Sequence, residues 1–430
     1  MKVENCDVVI IGSGVAGLIC ALTLDKKFKI ILLTKKKLKD SNSYLAQGGI
    51  SVCRGKEDRE EYIEDTLIAG HYKNDREAVE ILVDESEEAI KTLIKNGVKF
   101  TGDKKGLFYT REGGHRKFRI LYCEDQTGKY IMESLIEKVL ERDNIKIIED
   151  CKFLDIIEKE NTCFGILVKK EKIFVIKSKF TVLATGGLGG IYKNTTNFSH
   201  IKGDGVAVAI RHNIELKDIS YIQIHPTTFY TKKNERKFLI SESVRGEGAI
   251  LLNQKLERFT DELKPRDKVT KAILEEMQKD KAEYEWLDFS TIKLDIKERF
   301  PNIYNNLMKK GINPLKDKVP IVPAQHYTMG GIKVDMNSKT SMKNLYAIGE
   351  VACTGVHGQN RLASNSLLES VVFAKRASQS IIDENNISVY NNITDDVFKN
   401  IADKILLADE KENKNIIEKR IKEDEFEKNR

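Results

Sequence analysis

Two histidines and two arginines stand where their types could do chemistry. His225 lies in "IQIHPTTF" and His326 in "VPAQHYTMGGIKVD", each at the edge of a strand bounded by proline or glycine. Arg266 lies in "LKPRDKVT" and Arg361 in "HGQNRLASNSLLES". A lone histidine is more often structural, and a lone arginine more often a surface ion pair. Together the four make an anion pocket, because a guanidinium fork matches a carboxylate with two parallel hydrogen bonds. A fifth residue does not fit a purely cationic site. Glu112, in "YTREGGHRKFRI", is one carboxylate beside two glycines, with five basic or imidazole side chains around it. Either it pairs with Arg111 or Arg116, or it meets a ligand carrying positive charge.

These residues need elements to position them. Val8 to Ile11 is a β-branched run, followed by Gly12-Ser13-Gly14-Val15-Ala16-Gly17, an apolar helix to about Leu24, and a second β run from Ile30 to Leu33. A G-x-G-x-x-G that follows a strand and opens a helix allows close approach of a pyrophosphate to the helix N-terminus. The second strand ends in Thr34-Lys35 where an NAD site would place an acid for the ribose hydroxyls. A plain NAD site is therefore excluded and other dinucleotides stay open. "KFTVLATGG" (179–187) and "NLYAIGEV" (344–351) are two further strands that run into glycine turns, so one sheet should gather around one cofactor. Residues 60–96 have helical periodicity closed by Gly97 and read as scaffold. The stretch 219–327 has mixed periodicity and most of the prolines, and reads as an insertion. After about residue 386 the chain is rich in Lys, Glu and Asn, and reads as a small helical appendage prone to fraying.

The chain has 430 residues, enough for two or three domains. Lys and Arg number 72 against 66 Asp and Glu, and the two signs interleave, which argues for solvated faces and against a nucleic-acid partner. Seven cysteines, an odd number with no CxxC pair, argue against a disulfide framework or a metal cluster and suit a reducing cytoplasm. The apolar N-terminal run contains Asp7 and three glycines and is short for a span, so no membrane association is expected. Nothing in the sequence requires a metal.

The motifs "GSGVAGL", "SYLAQGGIS", "TREGGH", "LATGG", "KGDGVAVA", "QIHPT", "SVRGEGA", "KPRDKV", "PAQHYTMGGI", "YAIGEV" and "NRLASNSLLES" occur in this order. The set resembles the succinate dehydrogenase/fumarate reductase flavoprotein family, and within it the aspartate-oxidising branch, over roughly residues 5–380. The resemblance implies an α/β fold: a Rossmann-like FAD-binding domain in two parts (1–218 and 328–385), an inserted α+β capping domain (219–327) and a short helical C-terminal segment (386–430). It implies FAD held by Gly12, Ser13, Gly14, Ala16, Gly17, Lys35, Ser43, Gln47, Gly48, Gly49, Ala184, Thr185, Gly186, Asp204, Glu350, Asn365, Ser366 and Leu367. Asn42 falls where membrane-complex members carry the histidine that binds flavin covalently, so noncovalent FAD is implied.

The resemblance further implies that His225, Ser241, His326 and Arg361 bind the substrate carboxylates and that Arg266 transfers the proton, helped by Glu242 or Arg245. Glu112 would meet the ammonium of L-aspartate, because aspartate-oxidising members carry this glutamate and the succinate and fumarate enzymes have no carboxylate there. The implied reaction takes L-aspartate to iminoaspartate by hydride transfer to the flavin. Oxygen or fumarate would reoxidise it, and a quinolinate synthase would take the product toward NAD in the cytoplasm. The alternative is a soluble fumarate reductase or succinate dehydrogenase-like flavoprotein. Three departures stand out. Ser220 occupies a position near a frequent glutamate, Tyr122 replaces a frequent histidine, and the three-helix C-terminal domain of longer members is mostly absent.

Overall fold

The computed structural model describes residues 2–233, 235–387, 394–405 and 408–429. Strand β1 (Val3–Ile11) leads through the glycine turn into helix α1 (Val15–Thr23) and then β2 (Ile30–Leu33). β1 begins five residues earlier than its apolar run. Val3 to Cys6 pair in parallel register with Val175 to Ser178, so the partner strand extends the ladder where the local pattern does not. The expected helical stretch forms as Lys56–Ala69, Arg76–Asp84 and Ser86–Lys95, with Gly97 following at φ +93°. Asp75 caps the second of these by accepting from the Glu77 and Ala78 amides.

Strand β3 (Ile145–Ile148) adds to β2 on one side. On the other side a meander of β4 (Lys152–Lys159), β5 (Thr162–Lys169) and β6 (Ile173–Leu183) returns to pair with β1 in parallel. Helix α2 (Asp204–Arg211) follows. The chain then builds a second, four-stranded antiparallel sheet from β7 (Ile222–Phe229), β8 (Ile250–Leu252), β9 (Glu285–Asp288) and β10 (Val319–Thr328), in the order β7-β10-β9-β8. The short helix α3 (Glu242–Gly246) and the longer α4 (Arg266–Asp280) lie between its strands in sequence. The two passages into and out of this sheet are joined, since Leu216–Lys217 pairs with Gly331–Lys333. Finally β11 (Leu345–Ala347) pairs in parallel with the end of β6, and helix α5 (Asn365–Ile387) packs against α1.

Three parallel strands, β1, β6 and β11, therefore lie side by side and each ends in a glycine turn, at Gly12, Gly186 and Gly349. Gly12 has φ +121°, and a Cβ there would stand 2.0 Å from the Ala184 carbonyl oxygen, so no other residue fits between the two turns. The apolar core divides between the α1/α5 side and the meander side of this sheet, and the insertion has its own core around Phe289, Phe300 and Ile321.

The C-terminal segment is not a frayed appendage where it is described. Helix α6 (Glu410–Lys428) opens with a capping box between Asp409 and Glu412. It buries Ile417 and Ile421 against the meander-side core, a contribution of about 1.5–3 kcal/mol per side chain. Lys202 and Lys152 pair with Glu410 at one end, and Ser220 donates from its amide and hydroxyl to Asp424 at the other. The sequence shows little of this because a helix this charged has only a narrow apolar stripe. Residues 388–393 and 406–407 of this segment lie outside the described residues.

Candidate active site

The loop that carries Glu112 connects the short strands Tyr109–Thr110 and Ile120–Leu121. Its basic residues are committed elsewhere. Arg116 donates to Asp65 at 2.5 Å, buried Arg119 pairs with both Asp58 and Asp65, and Arg111 lies over the Phe118 ring. Glu112 is 4% exposed and forms no ion pair among the described residues. Its two carboxylate oxygens accept hydroxyl hydrogen bonds instead, from Ser243 at 2.8 Å and Ser364 at 2.7 Å. The alternative of a bridge to Arg111 or Arg116 is thus not what the fold forms. The adjacent glycine has a different use, since a Cβ on Gly113 would sit 2.2 Å from a carboxylate oxygen of Glu242. Gly48 plays the same part for Glu112, with a Cβ position 2.9 Å from Oε1.

The second sheet supplies both histidines. His225 on β7 and His326 on β10 come from neighbouring antiparallel strands, and their rings stand 5.2 Å apart in an edge arrangement. Burial, and then Arg266 and the other nearby cations, hold both imidazoles well below their ordinary pKa, so both are neutral at pH 7. His225 Nδ1 accepts from the Thr227 amide at 3.2 Å, which puts its proton on Nε2. The burial pattern of β7 is inverted: Gln223 and His225 are buried while Ile222 and Ile224 are only half-buried. Residues two apart share one face of a strand, so the polar face is turned inward.

Arg266 begins α4 directly after Pro265, and 7% of it is exposed. Its Nε donates to Glu242 at 2.5 Å and its Nη1 to Gln223 at 2.8 Å. Gln223 in turn donates to the Arg361 carbonyl at 2.8 Å, which ties the two arginines together. Burial pushes the Glu242 carboxyl up, but Arg266, Arg245 and Arg361 outweigh it and hold that carboxyl below its ordinary pKa. Arg245 lies behind Glu242 at 3.7 Å and is fully enclosed. Arg361 stacks over Tyr327 and donates from Nη1 to Ser366 at 3.2 Å, while its Nε has no partner. Burial and the nearby Arg266 charge bring its pKa down to about 10, which leaves it protonated at pH 7.

One cavity of about 440 Å³ joins these groups to the glycine turns. Its walls include Gly12, Ser13, Gly14, Ala16, Lys35, Ser43, Gln47, Gly48, Gly49, Ala184, Thr185, Gly186, Asp204, Glu350, Ser366 and Leu367, together with Glu112, His225, Ser241, Glu242, Arg266, His326 and Arg361. Two residues expected at the cofactor do not line it. Gly17 faces the strand instead, where a Cβ would meet the Gly12 carbonyl oxygen at 2.0 Å. The Asn365 side chain turns inward, accepting from Ser51 and Tyr62 and donating to Thr66.

Sequence reading missed Gln223, Ser243, Ser364, Thr196 and Asn197. Thr196 bonds His326 Nδ1 at 2.8 Å, and Asn197 bonds Asn42. Gln223 was open to inference from its place two residues before His225. The others act through folded contacts that leave no local signal.

The cavity fits an elongated dinucleotide. Its walls hold buried polar atoms that lack a protein partner, Gln47 Oε1 and Thr185 Oγ1, besides Arg361 Nε. Lys35 reaches Asp204 at 2.9 Å beside the first glycine turn, and the Glu350 carboxyl is pushed up to about 7 by burial. A carboxyl near neutrality can hold hydroxyls in either protonation state.

Residues 7–367 match the FAD binding domain family. The chain is 54% identical to the L-aspartate oxidase of Clostridium perfringens over 87% of its length and 86% of that protein's. It is 52% identical to the L-aspartate oxidase of Clostridium acetobutylicum, covering 87% of each. Among solved structures, a quinol fumarate reductase chain of Escherichia coli superposes with a TM-score of 0.87 at 28% identity, covering 94% of this chain and 74% of that one.

Proposed function

This chain belongs to the L-aspartate oxidases of the FAD-binding flavoproteins, and from that premise we propose that it oxidises L-aspartate to iminoaspartate in the cavity described above. The observation that carries the reading is Glu112, a buried carboxylate bonded only to hydroxyls, in a pocket where the neighbouring Glu242 is paired with Arg266. Arg266 and Arg361 line this part of the cavity together with Glu112 and Glu242, and the histidines are neutral. Arg266 is answered by Glu242, so among the described residues Arg361 is left without an ion-paired carboxylate and Glu112 without a cation, the complement of a ligand that carries both charges. Succinate would leave Glu112 without a cation, and a buried charge without a partner is costly.

FAD, when bound, supplies the two-electron acceptor. The chain's own groups do the rest. Arg361, His225 Nε2, His326 and Ser241 hold the two carboxylates, and Glu112 holds the ammonium. Nε and Nη1 of Arg266 are taken by Glu242 and Gln223, which leaves Nη2 to carry a proton to or from the ligand. Glu242 and Arg245 continue that path away from the cavity. The inserted sheet and α4 form the wall that excludes water during the reaction. FAD is held without a covalent bond, since Asn42 offers an amide already bonded to Asn197 and to the Phe198 amide.

Fumarate, a dicarboxylate of the same length, and oxygen are the proposed acceptors for reoxidation. The product would pass to a quinolinate synthase and toward NAD. A cytoplasmic setting is supported by seven free cysteines, and among the described residues no helix is long and apolar enough to cross a membrane.

The test is anaerobic absorbance of the purified yellow protein, mixed with L-aspartate and then with succinate. L-Aspartate should bleach the flavin band and succinate should not. Glu112→Gln should weaken the response to L-aspartate by at least ~30-fold, the cost of removing one partner of a buried charge pair. Bleaching by succinate and not by L-aspartate would move the activity to a fumarate reductase, and full bleaching by L-aspartate in Glu112→Gln would end the ammonium role of Glu112.

A further inference from the structure

Glu112 keeps its charge available because of what holds it. The carboxylate has only acceptors, so both serine hydroxyls must donate to it. The Ser243 hydroxyl has one proton, spent on Glu112 Oε1 at 2.8 Å. Its own oxygen then accepts from the Ser241 hydroxyl at 3.2 Å. The direction of the chain Ser241 to Ser243 to Glu112 is therefore fixed by donor counting. Ser243 does not line the main cavity. It stands behind Glu112, 8% exposed, within the short helix α3 that also presents Glu242 and Arg245.

We propose that Ser243 is a positioning residue for ammonium recognition. It orients Glu112 toward the ligand with a neutral donor, where a cationic donor would cancel the charge that the ammonium must meet. Under this reading the single hydroxyl proton of Ser241 goes to Ser243, so only its backbone N–H is left to meet a ligand carboxylate. Ser364 secures the other oxygen of the same carboxylate at 2.7 Å, so Glu112 is pinned from two elements far apart in the chain. A residue of this kind tunes selectivity between an amino dicarboxylate and a plain one, while the carboxylate-binding groups stay as they are. The inference rests on the ammonium role proposed for Glu112.

The experiment is calorimetric titration of L-aspartate and of succinate into the anaerobically reduced holoenzyme, which accepts no electrons and so binds without turnover. Wild type, Ser243→Ala and Ser243→Thr are compared. Ser243→Ala should bind L-aspartate about tenfold more weakly, the scale of one hydrogen bond to a charged group. Its affinity for succinate should stay the same or rise. Ser243→Thr, which keeps the hydroxyl, should recover most of the loss. If wild type prefers L-aspartate and Ser243→Ala keeps that preference, or loses both ligands equally, then the Ser243 hydroxyl serves only the local structure of its helix and this inference fails alone. If wild type itself does not distinguish the two ligands, the ammonium role of Glu112 fails with it.

Discussion

Replacing Glu242 by glutamine should separate stability from ligand binding in a way that only the charge arrangement predicts. Glu242 is 2% exposed and faces Arg266 at 2.5 Å and Arg245 at 3.7 Å. Two opposite charges about 4 Å apart interact by about 4 kcal/mol at an effective dielectric near 20. Removing one partner of such a buried pair costs about 3–5 kcal/mol, because the remaining charge is stranded. Glutamine keeps one acceptor for Arg266, so the ligand-free protein should lose about 3 kcal/mol, a large share of a typical total of about 5–15. The stranded cations then favour a dianion. Succinate should bind Glu242→Gln at least about tenfold more tightly than wild type and restore part of the lost stability. Turnover of L-aspartate should fall by about 10²-fold or more, since glutamine cannot take part in the proton path proposed through Arg266 and Glu242. The assay is urea unfolding with and without succinate, read beside turnover. The wild-type carboxyl sits below its unfolded value of 4.5, so its contribution is present above that pH and lost as pH falls through the folded value. The variant should lack that acid-side slope. Unfolding within about 0.5 kcal/mol of wild type, or weaker succinate binding, would refute the reasoning.

Two further outcomes follow from groups away from the Glu112 end of the site. The Glu350 carboxyl is raised to about 7 by burial, so between pH 4.5 and 7 the folded chain binds more protons there than the unfolded one. Stability of the FAD-free protein should therefore decline as pH rises across that window, and Glu350→Gln should flatten the decline in a pH series of melting temperatures. Asp424→Ala removes the acceptor shared by the Ser220 amide, the Ser220 hydroxyl and Lys428, and should cost about 1–2 kcal/mol. Hydrogen exchange should then rise along 410–428 while the affinity for L-aspartate stays unchanged; protection equal to wild type would show that the buried isoleucines alone hold the helix.

What the sequence determined by itself was the material of the site and the turns that cradle a dinucleotide. Glycines at 12, 14 and 17 after a β-branched run, and glycines ending two later strands, are local signals because backbone conformation and close approach are decided within a few residues. Lys35 at the end of β2 was readable for the same reason. The tertiary structure alone decided who partners whom. Asn365 sits among the expected cofactor residues in sequence, yet its side chain turns to Ser51, Tyr62 and Thr66, because a helix start has one face toward the cavity and another toward the core. The charge around Glu112 could not be settled from "YTREGGHRKFRI". Its neighbouring arginines find Asp58 and Asp65 more than forty residues earlier, and its own partners are Ser243 and Ser364, brought in from the insertion and from the loop before α5. Hydrogen bonds and ion pairs act over about 3–4 Å with no regard for separation along the chain. The residue types announced an anion site, and the fold decided that one carboxylate within it would be left free of cations.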